Sequence, residues 1–255
     1  MPPRRTPRIE VLGLKSLPEI RPGDDLARLA MRAARDEIGG FKTGDVVVLA
    51  QKIVSKAEGR LVRLAEVEPS PLAQTWARVL RADPRFVEVV LRESRRILRM
   101  TERVLIAETR HGFVAANAGV DRSNVPESGC VLCLPRDPDA SARKFVRAVR
   151  RATGARIAAL VSDTFGRPWR LGLANVAIGA AGLRVTEDLR GSRDAQGHTL
   201  RVTVLAKADE LAAAAGLAMG KRAQVPVVVI RGAWFQAGSD SAQKLIRPAD
   251  EDMFR

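Results

Sequence analysis

Short, almost wholly apolar runs alternate along the chain with longer stretches in which apolar residues recur every three or four positions. The runs at 46–50, 104–107, 157–161, 200–205 and 225–230 are too short for helices, so each predicts a strand. Between the first of them and the amino terminus, 25–38 predicts a helix. Gly23, Asp24 and Asp25 supply its start, Leu26, Leu29, Ala30 and Ala33 its apolar stripe, and Gly39 and Gly40 its stop. Leu72, Trp76, Val79 and Leu80 give helical spacing over 71–81, and Phe145, Val146 and Val149 do so over 142–152. The alanine-rich 208–219 reads as a further helix. The alternation predicts an α/β, or mixed α+β, chain on a mixed sheet. No internal repeat or linker divides 1–255. A junction between two subdomains is best placed at 135–141, where Pro135 and Pro138 interrupt regular structure, and an ordinary surface loop before a helix at 142 fits the same residues equally.

Polar residues gather where the apolar runs stop. The run 157–161 leads to Asp163, Thr164 and then Gly-Arg-Pro-Trp-Arg, which predicts a buried strand delivering a carboxylate and a hydroxyl at its carboxyl end. Beside Arg167 and Arg170, that pair suits a metal held against an anionic substrate; an Asx-type turn with solvated arginines is the plainer alternative. The run 46–50 leads to Gln51, Lys52, Ser55 and Lys56, whose cationic groups can meet nucleotide phosphates, or can simply mark a solvated strand-to-loop transition. No P-loop string occurs. Asn117, Asp121, Ser123 and Asn124 crowd around Gly119, an oxygen-rich set suited to a hard divalent cation, with Asp121 as a partner for Asp163; an Asn- and Asp-rich turn has the same composition. In 219–226, Gly220 reads as a helix stop, and Lys221 and Arg222 complement the helix carboxyl end.

Composition narrows the function classes. Apolar residues make up 46% of the chain, enough for a packed core, and no apolar run approaches the ~20 residues of a membrane span. The basic start, Met1 to Arg8, lacks the apolar core of a signal peptide, so a cytoplasmic protein is expected. Cys130 and Cys133 form a C-x-x-C, yet the only histidines are His111 and His198, and Val131, Leu132 and Leu134 around the pair predict a buried segment in preference to a zinc or redox site. A net charge of +14 invites nucleic acid, but 4% aromatics and no tyrosine leave little for base stacking. Basic residues such as Arg143, Lys144, Arg147, Arg150 and Arg151 are spread through a helix, and small polyanionic substrates would use the same field. Paired aspartates also sit badly against phosphates without a metal. No nucleic-acid partner is expected.

The strings Leu17-Pro-Glu-Ile20 with Gly23-Asp24-Asp25, Ala50-Gln-Lys-Ile-Val-Ser-Lys-Ala-Glu-Gly59 and Asn117-Ala-Gly-Val-Asp-Arg-Ser-Asn124 occur in this order. They continue with Ser162-Asp-Thr-Phe-Gly-Arg-Pro-Trp-Arg170, Ile178-Gly-Ala-Ala-Gly182, Asp188-Leu-Arg-Gly191 and Leu245-Ile-Arg-Pro248. Together they resemble the coenzyme F420:L-glutamate ligase family, also called F420-0:gamma-glutamyl ligase, in its stand-alone form. The resemblance implies a GTP-dependent enzyme joining L-glutamate to the phospholactyl carboxylate of coenzyme F420-0 through an acyl phosphate, with further γ-linked glutamates added. A related amino-acid ligase acting on another phospho-carboxylate acceptor would carry the same motifs. The resemblance also implies an unusual mixed-sheet fold in an intertwined homodimer, two Mg²⁺ or Mn²⁺ ions, and K⁺ as a further ion.

Carried over by motif position, Asp121 and Asp163 hold one divalent metal and Thr164 serves a second. Leu17, Pro18, Glu19, Ile20, Gln51, Lys52, Lys56 and Asn124 contact the nucleotide, with the loop Met219, Gly220, Lys221, Arg222, Ala223, Gln224, Val225 and Pro226. Lys221 is a departure, because some members place a metal ligand near this position and an ammonium cannot coordinate. Asp121, Asp163 and Arg167 form the catalytic set. Arg167 and Arg170 are assigned to substrate carboxylate or phosphate by the fork geometry of guanidinium, which is a reading of the residues and not of the family.

Overall fold

The structure is a computed structural model describing residues 8–123, 125, 127–220 and 223–252. The chain opens with β1 (Glu10–Leu14), α1 (Leu26–Ile38), β2 (Val46–Ala50) and α2 (Gln51–Ala57). Then come β3 (Leu61–Arg63), α3 (Pro71–Leu80), α4 (Pro84–Arg92), β4 (Ser94–Met100), β5 (Leu105–Thr109), β6 (Val114–Ala116) and β7 (Cys130–Leu132). It finishes with α5 (Pro138–Thr153), β8 (Ala158–Arg167), β9 (Arg170–Ala181), β10 (Glu187–Asp188), β11 (Val204–Leu205), α6 (Lys207–Met219) and β12 (Val227–Arg231).

Five strands form the principal sheet in the order β1-β12-β2-β8-β9. Only β2 and β8 run parallel; the other neighbours are antiparallel, so the sheet is mixed as the alternation predicts. Val46 to Leu49 and Ala158 to Val161 are buried throughout, the unbroken apolar reading of strands covered on both faces. Helices α1, α5 and α6 supply that cover and share one core with the sheet. A second core, with Leu64, Val67, Phe86, Val89, Val90, Leu105 and Val131, lies in the lobe built from β3 to β7.

Local chemistry sets the helix starts. Asp25 accepts from the Arg28 amide at 3.1 Å and caps α1, which Gly39 ends in the left-handed region. Asp137 accepts from the Ala140 amide at 2.8 Å and Pro138 takes the first helical position of α5. The helix therefore begins four residues before 142: proline at this position loses no hydrogen bond and favours the helix it was expected to interrupt. The expected strand 200–205 shrinks to β11, because Leu200 pairs its backbone with Gly191 and Ser192 in a turn-rich loop.

Several elements escape the pattern, among them three that frame the principal sheet and the segments leaving it. β1 is a half-buried strand that exists because it pairs along β12. α2 forms where a loop was the alternative reading. β9, rich in Gly and Ala, is held in strand conformation by pairing with β8 along almost its entire length.

That pairing contains a bulge. Val161 faces Gly179 while Ser162 faces Ala177, so Ile178 is the extra residue. Carboxylates from two helices brace it: Asp209 of α6 accepts from the Ala177 amide at 2.9 Å, and Asp139 of α5 from the Ala180 amide at 2.7 Å. Gly179 must lack a side chain, since a Cβ there would lie 2.5 Å from the Pro138 backbone. Gly179→Ala should cost about 1–3 kcal/mol by overpacking. Urea unfolding measures it, and a midpoint equal to that of the unaltered protein would show that α5 moves aside freely.

Candidate functional site

Strand directions bring distant segments to one edge of the principal sheet. β1 and β2 end there, β12 begins there, and β8 passes through it, since Leu14 pairs with Val227, Leu49 also pairs with Val227, and Ala50 lies beside Ser162. The chain leaves that edge as 15–20, as α2, as the distal half of β8, and enters it from 219–226. These are the segments assigned above to nucleotide and metal.

Individual contacts join them. The Ala50 amide donates to the Pro226 carbonyl at 2.8 Å, tying the 219–226 loop to the start of α2. Lys56 pairs with Glu19, joining α2 to 17–20. Lys52 Nζ lies 2.7 Å from Asp121 Oδ2 and donates to the Ser123 carbonyl and Oγ at 2.9 and 2.6 Å. The Ser123 amide in turn donates to Asp121 Oδ1 at 2.7 Å. Burial raises the Asp121 carboxyl pKa, but the bonds from Lys52 and Ser123 outweigh it and hold the group below its ordinary range, so it is ionised at neutral pH. Phe113, just before β6, meets the Phe165 ring edge-on at 6.3 Å and ties that lobe to β8.

Asp163 and Thr164 do not end a strand. β8 runs on through both to Arg167, because β9 keeps pairing with it after β2 has stopped. Arg167 and Arg170 close the hairpin, and at about 3.3 Å per residue the Arg167 backbone lies roughly 13 Å beyond Asp163. Both arginines are exposed, and Arg167 Nη2 donates to the Leu171 carbonyl at 3.1 Å. Thr164 Oγ1 donates to Asn175 Oδ1 at 3.3 Å, and Asn175 Nδ2 reaches Met219 Sδ at 3.5 Å, so Thr164 adjoins the end of α6. Trp169 takes a left-handed conformation in the tip and is 86% exposed.

Some assigned residues have little side chain to offer. Ile20 and Val225 are buried in the main core and have little but backbone to present, while Leu17 packs against that core and is half-buried. Gln51 is buried and accepts from Ser55 Oγ at 2.9 Å. Met219 is buried, Gly220 ends α6, Gln224 adopts a positive φ of 52°, and Ala223 adjoins Gly220. Asn124, Lys221 and Arg222 lie outside the described residues. Cys130 and Cys133 are free, buried thiols, Cys133 within the second core, and burial pushes the Cys133 thiol up to about 12, which keeps it protonated.

Three neighbours of the site were not found from sequence. Ser162 is buried, and its Oγ has no hydrogen-bond partner among the described residues; its place between an apolar run and Asp163 hid it. Asn175 lies on a strand that the pattern does not reveal. Asp209 is the third; its carboxyl pKa is raised by burial, against the lowering effect of the Ala177 amide. Among the described residues no group of three or more His, Cys, Asp or Glu gathers as a metal cage, and no helix is long and apolar enough to cross a membrane.

A turn of unusual backbone precedes Asp121. Asn117, Ala118 and Gly119 have φ of 51°, 52° and 72°, three left-handed residues in succession. A non-glycine residue in this region costs about 1–3 kcal/mol when packing enforces it, and such strain collects at functional sites.

Comparison with known proteins bears on this geometry. The family model described as F420-0:Gamma-glutamyl ligase matches residues 15–232. The chain is 46% identical over 250 residues to the coenzyme F420:L-glutamate ligase of Methanothermobacter thermautotrophicus, covering 97% of this chain and 99% of that protein. It is 45% identical to the ligase of the same name from Methanopyrus kandleri, covering 98% of each chain, and 38% identical to that of Methanocaldococcus jannaschii, covering 97% of each.

Proposed function

The chain belongs to the F420-0:gamma-glutamyl ligase family, and from that premise we propose that it joins L-glutamate to the phospholactyl carboxylate of coenzyme F420-0 at the expense of GTP. Further γ-linked glutamates then extend the product. The observation that carries this reading is the gathering of 17–20, Lys52, Lys56, Asp121, Thr164 and Pro226 at one sheet edge through the contacts described above.

The γ-phosphoryl group of GTP passes to the acceptor carboxylate: a P–O bond to GDP breaks and one to the carboxylate forms. The glutamate amine then attacks the acyl carbon, loses a proton and expels phosphate, leaving an amide. Lys52 is held in place by Asp121 and Ser123, and Lys56 by Glu19, so both ammonium groups are positioned before an anion arrives. The donors Asp121, Asp163 and Thr164 are all oxygen, and Asp121 already draws a cation to 2.7 Å, a set that fits Mg²⁺ or Mn²⁺. Two such ions, with K⁺ as a third species, would neutralise phosphate charge and align donor with acceptor.

The reading includes a homodimer. Trp169 at 86%, Leu171 at 100% and Leu173 at 62% exposure stand on the β8–β9 hairpin beyond the sheet, an apolar projection that association would cover.

Mass spectrometry tests the activity. The protein with F420-0, L-glutamate, GTP and Mg²⁺ or Mn²⁺ should give a product heavier by one or more glutamyl units, with GDP released and nothing formed in EDTA. Nucleotide binding without a mass shift would redirect the search to another phospho-carboxylate acceptor. Failure to bind nucleotide would end the reading.

A further inference from the structure

An open cleft of about 340 Å³ lies beside Asp121 in the second lobe, and apart from Asp121 and Asn117 the roles assigned above leave its lining unused. Leu80, Phe86 and Val120 give it an apolar wall, while Arg103 and Arg122 bring two cations to it. We propose that this cleft is a carboxylate subsite of the ligase, in which Arg103 and Arg122 bind an anionic substrate group. This rests on the reading under Proposed function, whose reaction offers two sources of that chemistry: the incoming glutamate and the carboxylate-bearing tail of the acceptor.

Four observations support it. First, the Arg122 guanidinium carbon lies 3.8 Å above the centre of the Phe86 ring. Contact with the ring holds the guanidinium carbon in place by a cation–π attraction that uses none of its N–H donors, which leaves them for a carboxylate fork. Second, neither arginine has an ion-pair partner among the described residues, although the same lobe pairs Arg60 with Glu93, Arg85 with Asp83, Arg92 with Glu88 and Arg96 with Glu108. Exposed guanidinium groups at a concave site, with Asp83 acting on Arg122 only from beyond ion-pairing distance and itself held by Arg85, suit an anionic ligand.

Third, Asp121 is the only carboxylate among the described lining residues, and Lys52 and Ser123 already hold it, so it does little to repel an anion. The hollow on the other side of Arg122 sets two carboxylates, Asp83 and Glu127, against that one guanidinium among its described lining residues, whereas the cleft sets two guanidinium groups against one carboxylate. The charge of the linings therefore favours an anion in the cleft. Fourth, the left-handed turn at Asn117 and Ala118 borders the cleft and sets Asn117 on its lining beside Asp121. Retained strain at this position is consistent with a turn shaped for a ligand.

The test is steady-state kinetics on Arg103→Gln, Arg122→Gln and Arg122→Lys, with KM measured separately for L-glutamate and for F420-0. GTP affinity is measured by titration and folding by thermal melting. Each glutamine variant should raise the KM of one substrate about tenfold or more, the cost of a lost charge-assisted hydrogen bond, with GTP affinity within twofold. Arg122→Lys should recover little, because an ammonium has no fork. A raised glutamate KM identifies the incoming amino acid as the occupant, and a raised F420-0 KM identifies the acceptor tail; either outcome supports the subsite. Unchanged KM values for both substrates overturn it, as does a loss confined to GTP affinity. If the unaltered protein shows no turnover on F420-0, the parent reading falls and this one with it, an outcome distinct from normal turnover with insensitive variants.

Discussion

Replacing Asp163 by asparagine should lower kcat/KM about 10³-fold while the melting temperature stays within a few degrees. The substitution keeps the size and shape of the side chain, removes its charge and turns one acceptor oxygen into a donor. Under the proposed reaction that charge helps hold a divalent ion against the phosphates, and such electrostatic stabilisation is worth several kcal/mol, of which about 4 corresponds to the stated loss. Asp163 lies in the middle of a paired hairpin, where β9 holds the backbone whatever the side chain carries. Turnover assays beside a melting curve decide the matter. Unimpaired turnover would remove Asp163 from the site, and lost turnover with a large fall in melting temperature would assign it to the fold.

Arg231→Met should destabilise the protein by about 3–5 kcal/mol, the usual cost of stranding a buried charge. Arg231 ends β12 and donates to both oxygens of Asp45, at 2.9 and 2.8 Å, and to the Gly40 carbonyl at 3.0 Å. Asp45 is 1% exposed and also accepts from the Lys42 amide at 2.8 Å, so it cannot turn to water when its partner is lost. Burying a charge without a partner costs far more than the pair contributes, so Asp45→Asn combined with Arg231→Met should restore at least half of the loss. Denaturant unfolding of the three variants measures this. A single variant within 0.5 kcal/mol of the unaltered protein, about the scatter of a neutral surface change, would mean that water reaches Asp45.

The pair also shows what a one-dimensional reading misses. Asp45 and Arg231 are far apart in the chain and carry no local pattern; they meet because β12 inserts beside β2. The site follows the same rule. Motif strings marked Lys52, Lys56, Asp121 and Thr164, yet no spacing in the sequence says that Lys52 is held by Asp121, or that Glu19 returns to Lys56. Phe86 and Arg103 lie outside every motif and reach the cleft only through the packing of the second lobe.

The sequence by itself determined the alternation of strands and helices, the start and stop of α1, the membership of the family and the segments that carry its chemistry. These are legible because they rest on short-range causes: side-chain periodicity, capping hydrogen bonds and the special conformations of glycine and proline. Only the tertiary structure decided that β8 continues past Asp163, that β1 and β9 are strands at all, and that the cations of α2 meet the acids of 17–20 and 117–123. Strand pairing and ion pairing join residues remote in sequence, and they are selected by the burial and hydrogen-bond satisfaction of the whole sheet, a quantity that no local window contains.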